Sequence, residues 1–515
     1  MRIRPQYWLP FIIFLVSFCL HLSFISKGPV TVDCLSLAIN SQATLETHQL
    51  HYQWGSGYPL MVLLGAAFIS IGKFFGVTDP VIAVNFISVL FSSIAIPAFY
   101  LLVLRICDDL TAILAAVILL LNPIFLDVST YGVGHAPALC FLLLGLSSLL
   151  RFQDTGNIAD LFLSAIYLGF MGATRLQDFI VITPAIGYLL LTGRELGSSR
   201  NIKQDCRHIL TYITTIILII LLFHLPYFIN DHANYAIQAR NYWEKSITKD
   251  FSGLFSHFLI SKRSHLTEAF NIAGIICFCA GLLRTFLLNK KLSFFIAIWL
   301  IVPLSFFNNI NLTVPRFFNI LLPAIIIPIS IFLAYLLKHK GILSKLIGAV
   351  SFLAISLQPF SNSQEILLRR HEHALIADYY LWVGRSTEAD ATIISSDDEL
   401  FITYYSKRKI IARPISTITH LSVKELATFK ERLDNILNKH TPLYITNFGF
   451  TSYDNYHEFG AFMTQNYRLI NTGQAPLELW YESPYNSNLH MSSLVKIEKN
   501  SPQQHHYCGD FVSLK

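Results

Sequence analysis

The chain has 515 residues, of which 53% are hydrophobic and 14% charged, with a net charge of +6 and a mean hydropathy of +0.50. Soluble globular chains carry about 25% charged residues, so this much apolar surface calls for lipid as the surrounding medium. The basic residues are scattered and do not interleave with aromatics in a stripe, which argues against nucleic acid as a partner.

In chain order, Met1-Arg-Ile-Arg4 precedes an apolar run from Trp8 to Ile25. The basic start is that of a signal sequence, but the run is long and no small-residue cleavage site follows, so it reads as an uncleaved first span. Runs near the 20 residues needed to cross a bilayer recur at 8–26, 81–103, 111–130, 133–150, 158–174, 178–193, 208–228, 268–288, 292–308, 317–337 and 342–358. The sequence thus predicts an α-helical polytopic membrane protein with about eleven spans. An odd number places the termini on opposite faces. Arg2, Arg4, Arg105, Arg151 and the basic clusters at 194–207, 284–291 and 338–345 then share one side. The positive-inside rule makes that side cytoplasmic, together with the N-terminus, and puts the C-terminus outside.

Two exterior loops are long. The first, 27–80, contains an apolar stretch from Tyr58 to Phe75. As a twelfth span it would invert everything downstream and put the Arg-rich loop 194–207 outside, so helices lying along or dipping into the interface are expected instead. The second, 229–266, carries Tyr242 and Trp243 among charges, as an interfacial helix would.

From about Ser361 charges become frequent. Short β-prone runs at 391–395 and 443–446 alternate with helical stretches such as 423–438, which predicts a small exterior α/β domain. The expected division is 1–358 for the membrane domain and 359–515 for the soluble one. No strand leads into a G-x-G-x-x-G or P-loop, so nucleotide binding has no support. Most of the eight cysteines read as small packing residues. Cys34 and Cys508 both fall on the exterior side, where a disulfide is chemically permitted, and their pairing stays open.

Charged residues beside a span are costly unless they are paired or solvated, so each is a functional candidate. Asp33, in Gly28-Pro-Val-Thr-Val-Asp33, precedes an expected helix over 34–45 and reads as a general base, a cation ligand or a helix N-cap. Glu46, His48, His51 and Tyr58 cluster in the same loop; His48 and His51 would share a helix face at spacing i, i+3, yet no third metal ligand stands at fixed spacing. Arg175, in Gly172-Ala-Thr-Arg175-Leu-Gln-Asp178, has the fork that holds a phosphate, with Asp178 to orient it; a purely structural Arg175–Asp178 pair is the alternative. Arg316 stands at the exterior mouth of a late span, where it reads as a lipid-phosphate ligand or a snorkelling anchor.

In this order the residues resemble the GT-C superfamily of polytopic glycosyltransferases, especially its bacterial protein-mannosyltransferase-like and aminoarabinose-transferase-like branches. The resemblance spans about 8–340. Its parts are Asp33 after the first span, Gln53-Trp-Gly-Ser-Gly-Tyr-Pro59-Leu-Met-Val-Leu-Leu in place of the family's His-Pro-Pro-Gly-Tyr-Pro loop, Gly172-Ala-Thr-Arg175, and Pro315-Arg316-Phe-Phe-Asn-Ile-Leu-Leu-Pro323. Where several relatives carry a second acidic residue after the third span, this chain has Tyr131-Gly-Val-Gly-His135.

The resemblance implies transfer of a sugar from a polyprenyl-phosphate donor to a glycan, lipid or protein acceptor at the exterior face of a multi-pass membrane protein. The branches resembled point to the cell inner membrane, with the endoplasmic reticulum as the alternative. Asp33 and His135 would be the catalytic positions and Arg175 and Arg316 the donor-phosphate ligands. Glu46, His48, His51, Tyr58, Tyr131 and Asp178 would contact sugar or acceptor. No cofactor is required by the pattern, and a divalent metal stays open. A multi-spanning transporter or flippase of a lipid-linked glycan is the competing class; it would place its polar cluster near the bilayer midplane rather than at one face.

Overall fold

The computed structural model describes residues 8–52, 58–192, 202–230, 263–309, 315–396, 398–414, 420–451, 454, 457–476, 481–483, 486–491 and 493–500. They form two compact units, one of residues 1–26 with 36–371 and one of 27–35 with 372–515. The expected domain boundary at 358/359 falls inside a helix, Ile342–Glu372, and the boundary between units comes at the end of that helix. The division also draws the short segment 27–35 into the second unit, because the Lys27 ammonium donates to the Glu372 carbonyl at 3.0 Å and Gly28 lies close enough to Ala374 that a Cβ would come within 2.8 Å of its side chain.

The first unit is a bundle of α1 (Trp8–Ser23), α2 (Val32–Thr47, from Ser36), α3 (Pro59–Phe74), α4 (Pro80–Ile106), α5 (Asp109–Leu120), α6 (Pro123–Ser129), α7 (His135–Thr155), α8 (Ile158–Thr174), α9 (Leu176–Thr192), α10 (Ile202–Asn230), α11 (Arg263–Leu288), α12 (Lys290–Asn309), α13 (Leu322–Lys338) and α14 (Ile342–Glu372). Among the described residues, seven helices are long and apolar enough to cross a membrane, or eight if α5 and α6 form one span. The chain is therefore a multi-pass membrane protein. The run expected as one span at 111–130 is bent by 62° between α5 and α6. Pro123 removes a backbone donor there, and Asn122 caps the new helix by accepting from the Ile124 and Phe125 N–H groups.

Helix α3 decides how the apolar stretch after Tyr58 lies. At its start, Met61 approaches Gly134, which precedes α7, while Gly72 near its end approaches Ala83 in the first turn of α4. In turn Gly132 packs against Val84. The two ends of α3 thus pack against the turn that precedes α7 and the first turn of α4. The interfacial helix expected within 229–266 lies outside the described residues, as do Gln53–Gly57 and Cys508.

Small residues bring the helices close. A Cβ on Gly281 of α11 would sit 2.0 Å from the Pro328 carbonyl oxygen of α13, and Gly145 of α7 fits against Leu168 of α8. Buried polar side chains tie the segments that lead to the site. The Asn85 side chain of α4 donates to the Ser26 carbonyl at 2.8 Å and accepts from the Gly132 N–H at 2.8 Å, and Ser88 accepts from the Val133 N–H at 3.3 Å.

The second unit contains α15 (Leu375–Arg385) and a five-stranded sheet in the order β2-β1-β3-β7-β4. Its strands are β1 (Thr392–Ser395), β2 (Lys409–Ala412), β3 (Leu443–Thr446), β4 (Tyr467–Gln474) and β7 (Ser493–Lys499), with β5 (Tyr481–Ser483) and β6 (Asn486–Met491) as a separate antiparallel pair. β1 runs parallel to both β2 and β3, pairing Ile393 with Ile410 and Tyr444, while β7 joins β3 and β4 antiparallel. Every residue of β1 and β3 is buried, as suits strands in the middle of the sheet. Helices α16 (Val423–Asn438) and α17 (Glu458–Asn466) contribute Phe429, Leu433, Phe459 and Met463 to the core with Ile394, Ile445 and Ile497. The expected α/β architecture of this region is thus what the chain forms, with the strands and helix where the sequence pattern puts them.

Candidate functional site

At one end of the bundle four segments of the first unit converge on Arg175. The residue follows α8, its backbone leaves helical geometry, and its side chain is buried between that helix and α9. Its Nε donates to Asp178 Oδ2 at 2.8 Å, in a pair whose side chains are only 6% and 3% exposed. The pair leaves both partners incomplete: Arg175 Nη2 and Asp178 Oδ1 are buried without a hydrogen-bond partner. A buried donor and a buried acceptor of this kind are costly unless something satisfies them.

Aromatic rings flank the guanidinium. Its carbon lies 5.8 Å from the centroid of Tyr58 and 5.6 Å from that of Phe317. Tyr58 reaches this position in a left-handed conformation (φ 44°), immediately before Pro59 opens α3. Phe317 belongs to a 3-10 turn, Pro315–Leu321, which also carries Arg316. That turn is fixed from two sides: the Trp299 indole donates to the Ile320 carbonyl at 2.9 Å, and Asn319 donates to the His135 carbonyl at 3.1 Å. His135 opens α7, is buried, and meets Phe317 edge-on at 5.4 Å. Arg175 and Arg316 both exert a Coulombic influence on the His135 ring and on each other, so the two cations and the imidazole share one neighbourhood. Gly134 makes room for this, since a Cβ there would stand 3.1 Å from Arg175 Cγ.

The structure thus brings together Tyr58, His135, Arg175, Asp178 and Arg316 of the residues singled out from sequence. Tyr131 points elsewhere: it is buried, and its hydroxyl donates to Asp127 Oδ2 at 3.2 Å. Asp127 in turn pairs with Arg370 Nη1 at 2.5 Å. Sequence reasoning missed both members of this ion pair, because Asp127 sits inside an apolar run and Arg370 was assigned to the soluble domain. Beside it, the His371 imidazole meets the Ile25 carbonyl at 2.9 Å.

The remaining loop residues are distributed differently from the expectation. Helix α2 ends at Thr47, and His48 adopts φ 56°, so His48 and His51 do not share a helix face. His51 Nε2 instead lies 3.0 Å from Thr47 Oγ1, and the exposed Glu46 accepts from the Gln42 amide at 2.7 Å. Asp33 lies in the second unit, half-buried in the first turn of a helix that begins at Val32, earlier than expected. The capping contact there is made by Thr31, whose Oγ1 accepts from the Cys34 N–H at 3.4 Å, so Asp33 is not the N-cap. Among the described residues no three His, Cys, Asp or Glu side chains gather as metal ligands, and a divalent metal has no ligand set to support it there.

Comparison with solved structures shows that this helical bundle with its small α/β unit has the fold of the GT-C glycosyltransferases. The chain is similar to the oligosaccharyltransferase of Archaeoglobus fulgidus solved with Zn and sulfate, at TM-score 0.59 and 15% identity, over 93% of this chain and 72% of that one. It is similar to ArnT of Cupriavidus metallidurans, solved with undecaprenyl phosphate, at TM-score 0.58 and 12% identity over 95% and 98%. The arabinofuranosyltransferase AftD from Mycobacteria matches at TM-score 0.51 and 13% identity, over 96% of this chain and 40% of that one. Residues 58–227 match the family described as dolichyl-phosphate-mannose-protein mannosyltransferase. None of the curated proteins matches the chain.

Proposed function

We propose that the chain is a membrane glycosyltransferase that moves a sugar from a polyprenyl-phosphate donor to an acceptor at the exterior face of the cell inner membrane. The observation that carries this reading is the buried, incompletely hydrogen-bonded Arg175, set between Tyr58 and Phe317 with Arg316 nearby. Such a site favours a phosphate: Arg175 Nη2 offers a donor, and two guanidiniums stabilise charge that grows on a leaving phosphate. The solved relatives support a lipid phosphate in particular, since ArnT was solved with undecaprenyl phosphate and the archaeal oligosaccharyltransferase with dolichol-phosphate.

In the proposed step the acceptor oxygen attacks the anomeric carbon with inversion. The bond from that carbon to the phosphate oxygen breaks, and the polyprenyl phosphate leaves with the bonding pair. Asp33 takes the acceptor proton in the role the family resemblance gives it. His135 stands where relatives carry a second acid, buried edge-on against Phe317 beside the Arg175 pair. Glu46, His48, His51, Tyr58 and Asp178 are proposed to line the sugar or acceptor path, and Tyr131 to brace it through Asp127. The cluster lies at helix ends and not half-way along the spans, which supports transfer over a flippase.

The test is sugar transfer in membranes supplied with the lipid donor. Asp33→Asn is expected to abolish turnover while donor binding persists; normal turnover removes Asp33 from the mechanism. Arg316→Ala is expected to weaken donor binding, and unchanged affinity removes that residue from the phosphate site. The sugar transferred, hexose or pentose, is to be read from the same assay with donors of each kind.

A further inference from the structure

The helices that carry the Arg175 group also build a second site at their other ends. α7 starts at His135 and ends beside Gln153 and Asp154; α9 starts after Arg175 and ends at Thr192; α13 follows the Arg316 turn and ends at Lys338. With 21 residues at about 1.5 Å each, α7 separates the two ends by about 30 Å, the thickness of a bilayer's hydrocarbon core. There, two cavities of about 360 Å³ and 270 Å³ adjoin, sharing Ile106, Asn289 and Leu292 in their walls.

Four cations line these cavities, Arg105, Arg284, Lys291 and Lys338, against two carboxylates, Asp108 and Asp154. Both carboxylates are already engaged: Lys338 pairs with Asp108 at 2.7 Å and Arg105 with Asp154 at 3.0 Å. Arg284 and Lys291 are the surplus, and among the described residues neither has a carboxylate partner. Arg284 stacks on Tyr335, its guanidinium carbon 3.7 Å from the ring centroid, which holds the fork by its face and leaves the N–H donors at its edge. The rest of the walls is largely apolar, including Leu102, Leu292 and Ile331. Outside the cavities, α11 continues with exposed Leu283, Phe286 and Leu287.

We propose that this pair of cavities is a binding site for an anionic phospholipid, with its phosphate between Arg284 and Lys291 and its acyl chains along the exposed face of α11. Surplus cations at the end of apolar spans, beside an apolar wall open to lipid, match a headgroup phosphate that carries its own hydrocarbon. A soluble anion would use the cations and gain nothing from the apolar walls. The site is distinct from the Arg175 group, a bilayer away, and lies at the end that the loop charges assign to the cytoplasm. It does not depend on the proposed transferase activity.

The test uses the full chain purified from membranes and exposed to vesicles of phosphatidylcholine containing phosphatidylglycerol, with retained lipid counted by native mass spectrometry. Wild type is expected to retain phosphatidylglycerol in preference to phosphatidylcholine. At about 1 kcal/mol per cation, Arg284→Gln with Lys291→Gln is expected to lower that preference about thirty-fold, and Lys291→Gln alone about five-fold. Lys345→Gln, an exposed cation outside the cavity walls, is expected to change nothing. Retention unaffected by the double variant overturns the proposal, as does an equal loss with Lys345→Gln. Displacement of the lipid by inorganic phosphate or glycerol phosphate at matched concentration also overturns it, in favour of a soluble phosphate ligand. Should the double variant fail to fold, the single Lys291→Gln and Lys345→Gln comparison still decides.

Discussion

The Arg175–Asp178 pair admits a structural role and a phosphate-binding role, and the two separate cleanly on substitution. Each side chain is almost fully enclosed and each has one polar atom without a partner. Removing one partner strands the other charge, so Arg175→Leu or Asp178→Leu alone is expected to cost about 3–5 kcal/mol of stability. Replacing both removes the stranded charge, and the double variant is expected to recover most of that loss. Phosphate binding should behave oppositely. A charged hydrogen bond is worth about 1.5–3 kcal/mol, so loss of the Arg175 donor weakens polyprenyl-phosphate binding roughly ten- to 150-fold. The double variant, although stable, is expected to remain as weak a binder as Arg175→Leu. The measurements are the thermal unfolding midpoint in detergent and the equilibrium binding of polyprenyl phosphate by the same preparations. A stable double variant that binds the lipid as wild type does would refute the phosphate assignment and leave the pair a packing feature.

Arg370→Met is expected to destabilise by about 3–5 kcal/mol through the stranded Asp127 carboxylate, with Asp127→Leu in the same chain recovering most of it, read by thermal unfolding. Tyr131→Phe should cost about 1.5–3 kcal/mol, the worth of one hydrogen bond to the Asp127 carboxylate. Gly281→Ala is expected to destabilise by about 1–3 kcal/mol, since the added methyl meets the Pro328 backbone of α13; an unchanged unfolding midpoint would mean the two helices separate freely. In the C-terminal unit, burial raises the pKa of Asp398 despite hydrogen bonds from Tyr380, Ser395 and the Ser396 N–H. The folded form then holds its proton to higher pH than the unfolded form, so stability falls as pH rises from the ordinary carboxylate value through the raised one. Unfolding of the full chain followed by fluorescence across that window should show this slope, and Asp398→Asn should flatten it.

The apolar helices of the bundle and the α/β character of the C-terminal region were legible because they rest on local properties: hydropathy over about 20 residues and the alternation of apolar residues in short strands. The run read at 158–174 is α8 itself. Arg175 and Arg316 stood out for the same reason, as lone cations beside apolar runs. What the sequence left undecided are pairings between distant residues. Asp127 and Arg370, 243 positions apart, form an ion pair that no window of sequence reveals. Whether Asp33 capped its helix depended on the neighbouring Thr31 winning that hydrogen bond. Whether His48 and His51 shared a face depended on where α2 stopped. The apolar stretch after Tyr58 has the composition of a span, and its packing partners at the two ends, Gly134 and Ala83, are far from it in sequence or come from another helix. Hydropathy fixes that a segment leaves water; the direction it takes once in lipid is set by what it packs against, and that is a property of the folded chain.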